Sequence, residues 1–136
     1  MEYENGAVMG EHVLIVDDDI DLVLTYQELL QAHGYRSSTA ANGALALKLL
    51  QKEGVDAIIC DLSMPELTGD LFYLEVGRHW PHLMNRFIFL TAYADNPVYA
   101  SFLKGVRVPV LSKPVSIECL LKALHGTLGR VPRAAV

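Results

Sequence analysis

The chain has 136 residues, which is enough for one domain with a buried core and too few for two. Hydrophobic residues make up 51% of the sequence and charged residues 20%, a composition that excludes a disordered chain. The net charge of −5 argues against nucleic-acid binding, which usually requires a basic surface. No apolar run is long enough for a membrane span, the first residues lack a secretion signal, and the two cysteines form no metal motif. We therefore expect a cytoplasmic protein without a membrane or nucleic-acid partner.

Short apolar runs alternate with amphipathic stretches, which is the pattern of a parallel sheet covered by helices on both faces. The first run, His12–Val16, is apolar after its first residue, as a strand buried on both faces should be. A second strand, at residues 35–40, is more polar and is expected near an edge of the sheet. Further strands are predicted at residues 55–60, 86–90 and 108–111.

Five helices are predicted to follow these strands. Asp19 and Asn42 are suited to cap the first two helices, which should end near His33 and Glu53. The residues expected on the buried faces of these two helices are Leu22, Tyr26, Leu29 and Leu30 in the first, and Leu45, Ala46 and Leu49 in the second. The third helix is predicted at about residues 70–78, the fourth after a cap at Asp95 or Asn96, and the fifth from Ser116.

Four predicted strands end in residues suited to phosphate chemistry. The first ends in Asp17-Asp18-Asp19, and the third, fourth and fifth lead into Asp61, Thr91 and Lys113. Right-handed crossovers would give a doubly wound α/β sheet, in which the carboxyl ends of the strands share one edge. We therefore expect these side chains to converge in a crevice at that edge.

The residue types in this predicted crevice indicate metal-assisted phosphoryl transfer. Carboxylates that lie close together repel one another unless a cation sits among them, and Mg²⁺ prefers hard oxygen ligands. A carboxylate beside Mg²⁺ can attack phosphorus as a nucleophile and form an acyl phosphate. Lys113 would neutralise charge on the transferring phosphoryl group, and the Thr91 hydroxyl would donate a hydrogen bond to one of its oxygens.

Four motifs, taken in order, resemble the receiver domains of two-component signalling. They are VDDD at 16–19, CDLSMPELTG at 60–69, LTA at 90–92 and SKP at 112–114. Their separations also match that family, with 43 residues from Asp18 to Asp61, 30 more to Thr91 and 22 more to Lys113. The resemblance covers about residues 12–127. It implies a flavodoxin-like fold with five helices and five parallel strands in the order 2-1-3-4-5. The receiver domain itself would span residues 12–128, between an N-terminal extension (1–11) and a C-terminal tail (129–136).

The resemblance also implies roles for individual residues. Asp61 would be the phosphoacceptor and also a ligand of Mg²⁺, Asp18 a direct ligand, Asp17 a ligand mostly through water, and the Ser63 carbonyl a further ligand. Thr91 and Lys113 would bind the phosphoryl group. That group would come from a phosphohistidine on a sensor histidine kinase or a histidine phosphotransfer domain, and its transfer would change binding to an unknown downstream protein. The chain would catalyse only its own phosphorylation and dephosphorylation, so it is not expected to be an enzyme in the usual sense.

Of the residues that depart from the family's usual pattern, two bear on function. Val110 stands three residues before Lys113, where many receivers carry a Tyr or Phe that moves on activation. Tyr93 follows Thr91 by two residues, beside the expected path of attacking water, and its bulk is expected to slow the loss of phosphate. The change at Val110 leaves open the alternative of an interaction module that works without phosphate. The motifs fit both a stand-alone regulator and the receiver of a hybrid sensor kinase.

A second alternative is a phosphatase similar to the haloacid dehalogenases. In that family the nucleophile is the first aspartate of a DxD motif after the first strand, which Asp17 and Asp19 would supply. The chain is short for such an enzyme and lacks a cap domain, and the CDLSMP motif would have no role. The aspartate that becomes phosphorylated distinguishes this alternative from the receiver.

Overall fold

The computed structural model describes residues 10–92 and 97–129. In these residues, strands and α-helices alternate along the chain, with one additional 3-10 helix at Pro81–Leu83. The strands are β1 (His12–Val16), β2 (Arg36–Ala40), β3 (Ala57–Asp61), β4 (Phe87–Thr91) and β5 (Val110–Ser112). The α-helices are α1 (Ile20–Ala32), α2 (Gly43–Leu50), α3 (Gly69–His79), α4 (Pro97–Gly105) and α5 (Ile117–Thr127).

The five strands form one parallel sheet in the order β2-β1-β3-β4-β5. This order confirms the flavodoxin-like, doubly wound α/β fold that the sequence predicts. β3 and β4 are buried along their whole length, as is β1 apart from His12. β2 lies at one edge and is partly exposed, which confirms its predicted position.

Each face of the sheet carries its own hydrophobic core, because successive side chains of a strand point to opposite faces. One face packs against α2, α3 and α4 and includes Leu14, Ile58, Cys60, Phe87 and Phe89. The other packs against α1 and α5 and includes Val13, Ile15, Ile59, Ile88 and Leu90. The two cores fix the central strands from both sides, so the ends of those strands are rigidly placed.

The buried face of α2 differs from the prediction. Leu45 is 47% exposed and Leu49 is half-buried, whereas Ala46 is buried as predicted, together with Gly43 and Leu50. α2 also ends at Leu50, before the predicted end near Glu53. Alanine and leucine occur on every side of this short helix, so its pattern does not define one buried face. In α1 the buried residues are Val23, Tyr26 and Leu30, whereas Leu22 and Leu29 are half-buried.

The predicted helix caps are confirmed where the structure describes them. Asp19 accepts a hydrogen bond from the Leu22 amide at 3.2 Å, and Asn42 accepts one from the Leu45 amide at 2.8 Å. Ser116 caps α5 in the same way. The predicted cap at Asp95 or Asn96, and Tyr93 with its proposed effect on phosphate loss, lie outside the described residues. In the part of the chain that is described, no helix has both the length and the apolar character needed to cross a membrane.

Candidate functional site

The predicted polar residues lie at one edge of the sheet. Asp17 directly follows β1, and Lys113 directly follows β5. Asp61 and Thr91 are the last residues of β3 and β4, rather than the first residues after them. Because these four strands are parallel neighbours, their carboxyl ends bring the four residues to the same edge.

Three carboxylates form a compact cluster at this edge. Asp17, Asp18 and Asp61 each offer an oxygen atom, and the three oxygens lie within 4.8 Å of one another. Asp17 and Asp61 are 3% and 6% exposed, whereas Asp18 is exposed. The cluster therefore has two carboxylates in its floor and one at its mouth, an arrangement of hard oxygen donors that is open to solvent on one side.

Lys113 holds the two buried carboxylates together. Its ammonium group donates a hydrogen bond to Asp17 Oδ2 at 2.8 Å and lies 3.4 Å from Asp61 Oδ2. The Lys113 backbone amide donates to the Thr91 carbonyl at 2.9 Å, which anchors the start of this segment to β4. Since buried charges are stable only when they are paired, this lysine compensates part of the negative charge in the cluster.

The electrostatics of the cluster raise the pKa of both Asp61 and Lys113. The pKa of Asp61 is raised to about 6: burial is the largest cause, the negative charge of Asp17 adds to it, and Lys113 partly opposes both. Burial alone would lower the pKa of Lys113, but its hydrogen bond to Asp17 and the charge of Asp61 raise it overall. The lysine therefore stays protonated. An additional cation beside Asp61 would favour the ionised form of its carboxyl group and lower its pKa.

The loop between β1 and α1 orients Asp17 through its neighbour Asp19. The Asp19 amide donates to Asp17 Oδ1 at 3.0 Å, while the Asp19 side chain caps α1. The Asp17 amide in turn donates to the Ala40 carbonyl at 3.1 Å, at the end of β2. Of the three consecutive aspartates, Asp17 and Asp18 thus belong to the cluster and Asp19 belongs to the helix end.

The loop after β3 carries Ser63 beside Asp61. The Ser63 amide donates to Asp61 Oδ1 at 3.4 Å, and the Leu62 amide donates to the Leu90 carbonyl at 3.1 Å. Ser63 is exposed, whereas Thr91, at the end of the neighbouring strand, is 1% exposed. The roles predicted for the Ser63 carbonyl and the Thr91 hydroxyl remain predictions.

One contact of the site was absent from the sequence analysis. Lys113 was expected to act on the phosphoryl group, but the hydrogen bond to Asp17 joins residues 96 positions apart. The number of acidic residues at the sheet edge could have indicated this hydrogen bond, because several buried carboxylates require a cationic partner. Val110, the residue at the usual aromatic position, lies half-buried in β5 and pairs with Phe89 of β4.

Comparison with known proteins agrees with this arrangement. The family model of the response regulator receiver domain matches residues 13–125. Transcriptional regulatory protein GlrR of Escherichia coli (strain K12) is 36% identical over 118 residues, which are 86% of this chain and 26% of GlrR. The chain thus spans about a quarter of the length of that relative.

Solved structures give the same match in three dimensions. The chemotaxis response regulator CheY4 of Vibrio cholerae is 34% identical, with a TM-score of 0.77 over 88% of this chain and 100% of that chain. The response regulator TrrA of Thermotoga maritima, solved in complex with Mg²⁺ and BeF, is 28% identical, with a TM-score of 0.76 over 87% and 99% of the two chains. The matched region contains the whole sheet from Val13 onward and every motif at its carboxyl edge, and the chain therefore belongs to the family of response regulator receiver domains.

Proposed function

We propose that this chain is a phosphorylation switch that accepts a phosphoryl group on Asp61. The observation that carries the proposal is the convergence of Asp61 with two other carboxylates and with Lys113 at one edge of the sheet. A carboxylate whose pKa is raised to about 6 is still ionised at neutral pH, so it is available as a nucleophile.

The carboxylate cluster is suited to Mg²⁺. Asp17, Asp18 and Asp61 bring three negative charges together, and Lys113 compensates only one of them. Hard oxygen donors with uncompensated negative charge favour a small divalent cation. Asp18 and Asp61 would hold it directly, Asp17 mostly through water, and the Ser63 carbonyl would contribute a further oxygen. When bound, the ion would supply positive charge that offsets the repulsion between a phosphoryl group and these carboxylates.

The transfer itself can be written for this chain's own groups. An Asp61 carboxylate oxygen attacks the phosphorus of a phosphohistidine, so that a P–O bond forms while the P–N bond breaks. The electron pair of the broken bond remains on the imidazole nitrogen. The Lys113 ammonium, 3.4 Å from Asp61 Oδ2, neutralises charge on the transferring group. The Thr91 hydroxyl donates a hydrogen bond to one phosphoryl oxygen, which couples the end of β4 to the phosphorylated state.

The phosphodonor in this proposal is a sensor histidine kinase or a histidine phosphotransfer domain, and the output is altered binding to a downstream protein. Phosphorylation would act by differential binding, since a modification shifts a conformational equilibrium only if it favours one state. The receiver domain would comprise residues 12–128 and act in the cytoplasm. Because GlrR is a transcriptional regulatory protein, the expectation of no nucleic-acid partner is limited to this domain.

The test is intact-protein mass after incubation with acetyl phosphate, with and without Mg²⁺. We expect wild type to gain one phosphoryl group only with Mg²⁺, and Asp61→Asn to gain none. Label that persists in Asp61→Asn but is lost from Asp17→Asn would favour the phosphatase alternative. A wild-type protein that takes no label from acetyl phosphate or from a purified phosphorylated histidine kinase would favour the interaction module.

A further inference from the structure

The first residue of α3 packs directly onto the main chain of the proposed phosphoacceptor. Gly69 begins this helix and is buried. A Cβ atom placed on Gly69 would overlap the carbonyl oxygen of Asp61 and would lie 2.8 Å from Leu62 Cα. Gly69 does not have a positive φ, so the position requires glycine for space and not for backbone conformation.

The same residue closes the loop that carries Ser63. The Gly69 amide donates a hydrogen bond to the Leu62 carbonyl at 2.9 Å, and the Leu62 amide donates to the Leu90 carbonyl at 3.1 Å. The peptide groups around Leu62 are thereby fixed between α3 on one side and β4 on the other. Residues 63–68 form a loop that this hydrogen bond closes at its base. Ser63, at the start of the loop, donates its amide hydrogen bond to Asp61.

We propose that Gly69 is a positioning residue for Asp61 and Ser63. The close approach of α3 fixes the direction of the Asp61 carboxylate and of the Ser63 carbonyl, and Gly69 itself touches neither substrate nor metal. This inference rests on the proposed function of Asp61. A side chain at position 69 would push α3 away from the end of β3 or displace the main chain of Asp61, because both obstructing atoms are main-chain atoms.

The chain offers a matched control in the same helix. A Cβ atom on Gly77 would lie 2.6 Å from Met84 Sδ, so a substitution there also meets a close neighbour. That neighbour is the end of a flexible side chain and lies after the helix, at the opposite end of α3 from Asp61. Gly77→Ala therefore adds the same methyl group to the same helix at a close contact, but the flexible Met84 side chain can move away from it, and the loop after β3 stays unchanged.

The experiment compares Gly69→Ala and Gly77→Ala with wild type, after circular dichroism has established that each variant is folded. The Mg²⁺ affinity is obtained by following the amide NMR signals of residues 61–63 in a titration without phosphodonor. The initial rate of labelling by acetyl phosphate is then measured. We expect Gly69→Ala to bind Mg²⁺ about tenfold more weakly and to be labelled about tenfold to a hundredfold more slowly, since misplacement by ~1 Å has effects of this size. Gly77→Ala should stay within about twofold of wild type in both measurements, because its loop is unchanged.

A second measurement needs no variant and covers the case in which Gly69→Ala does not fold. If the Gly69–Leu62 hydrogen bond positions the metal ligands, reciprocity requires that Mg²⁺ stabilise this hydrogen bond. Under native conditions in which both amides exchange by local opening, saturating Mg²⁺ should then slow hydrogen exchange of the Gly69 amide more than that of the Gly77 amide in wild-type protein. Equal slowing of the two amides would overturn the proposal, as would a folded Gly69→Ala variant with wild-type affinity and rate.

The outcomes separate this proposal from the proposed function. If wild type takes no phosphate but Gly69→Ala still weakens Mg²⁺ binding, the phosphoacceptor function fails and the positioning role stands. If wild type is labelled on Asp61 and Gly69→Ala is labelled equally fast with unchanged Mg²⁺ affinity, only the positioning role fails.

Discussion

Asp61 is buried beside the negative charge of Asp17, and its pKa is raised from an ordinary value of 3.8 to about 6. In the metal-free folded state this carboxyl group therefore holds its proton at pH values where the unfolded chain has lost it. Folding stability consequently falls as the pH rises from about 4 to about 6, and the loss is complete above the folded pKa. The ionised form that the proposed chemistry needs is the form that destabilises the fold.

This linkage predicts a pH-dependent effect of Asp61→Asn. In the presence of EDTA, the variant should exceed wild type in free energy of unfolding by about 1–2 kcal/mol above pH 6, with the gain shrinking toward pH 4. Urea unfolding at a series of pH values measures the difference. Glu28→Gln, which removes an exposed charge on α1, is the control and should show no such pH-dependent gain. An equal gain for Asp61→Asn at pH 4 and pH 7 would contradict the assigned pKa.

Lys113 stabilises the carboxylate cluster, whereas the ionised form of Asp61 destabilises it. In Lys113→Met, Asp17 and Asp61 would remain buried without their cation, which we expect to lower the free energy of unfolding by about 2–4 kcal/mol without metal at pH 7.5. Adding Asp17→Asn to this variant should recover part of the loss, because an asparagine at position 17 has no buried charge that the lysine would need to neutralise. A double-mutant cycle by urea unfolding gives the coupling, and strictly additive effects would mean that the 2.8 Å hydrogen bond contributes nothing.

At the scale of whole elements, the strands were the most predictable part of the molecule. A strand that is buried on both faces is almost entirely apolar. The apolar runs at β1 and β4 could therefore be recognised as strands from their own residues alone. The alternation of strands and helices then permits few topologies, because crossovers are right-handed. The edge of the sheet that holds the site follows from this topology, which is why the convergence of Asp17 and Asp61 could be expected from sequence.

The sequence was less informative where a contact depends on how two elements pack. The buried face of α2 depends on Gly43 fitting against Leu67, a contact that the alternation of Ala and Leu does not reveal. The pairing of Lys113 with Asp17 depends on the distance between strand ends that are separated by β3 and β4 in the sheet. Both features are consequences of three-dimensional packing, and periodicity along one element contains no information about them.

The junction of β1 and α1 allows the roles of the three consecutive aspartates to be separated. Asp19 caps α1 by accepting from the Leu22 amide, and it is exposed. We expect Asp19→Ala to lower the free energy of unfolding by about 1 kcal/mol while leaving Mg²⁺ affinity close to wild type. Asp19→Asn, which keeps a cap, should restore most of the stability. A large loss of Mg²⁺ affinity in Asp19→Asn would instead place Asp19 among the metal ligands.

At the scale of the whole molecule, the site concentrates negative charge in a chain that is already acidic. The net charge is −5, and the carboxylate cluster retains excess negative charge after pairing with Lys113. Asp17 and Asp61 stand at the ends of strands that are fixed by two hydrophobic cores, so these two carboxylates cannot relax by moving apart. A bound cation would therefore stabilise the entire fold and not only the loops around it.

This reasoning predicts that Mg²⁺ increases the global stability of the protein. A ligand that binds only the folded state adds RT ln(1 + [L]/Kd), which is about 2.7 kcal/mol at a concentration 100 times the Kd. Urea unfolding with increasing MgCl₂, against NaCl of equal ionic strength as the control for screening, measures this gain. Asp18→Asn should lose most of it, because Asp18 is the exposed carboxylate at the mouth of the cluster, whereas Glu28→Gln should keep it. An equal gain in Asp18→Asn and wild type would show that the stabilising ion binds elsewhere on the molecule.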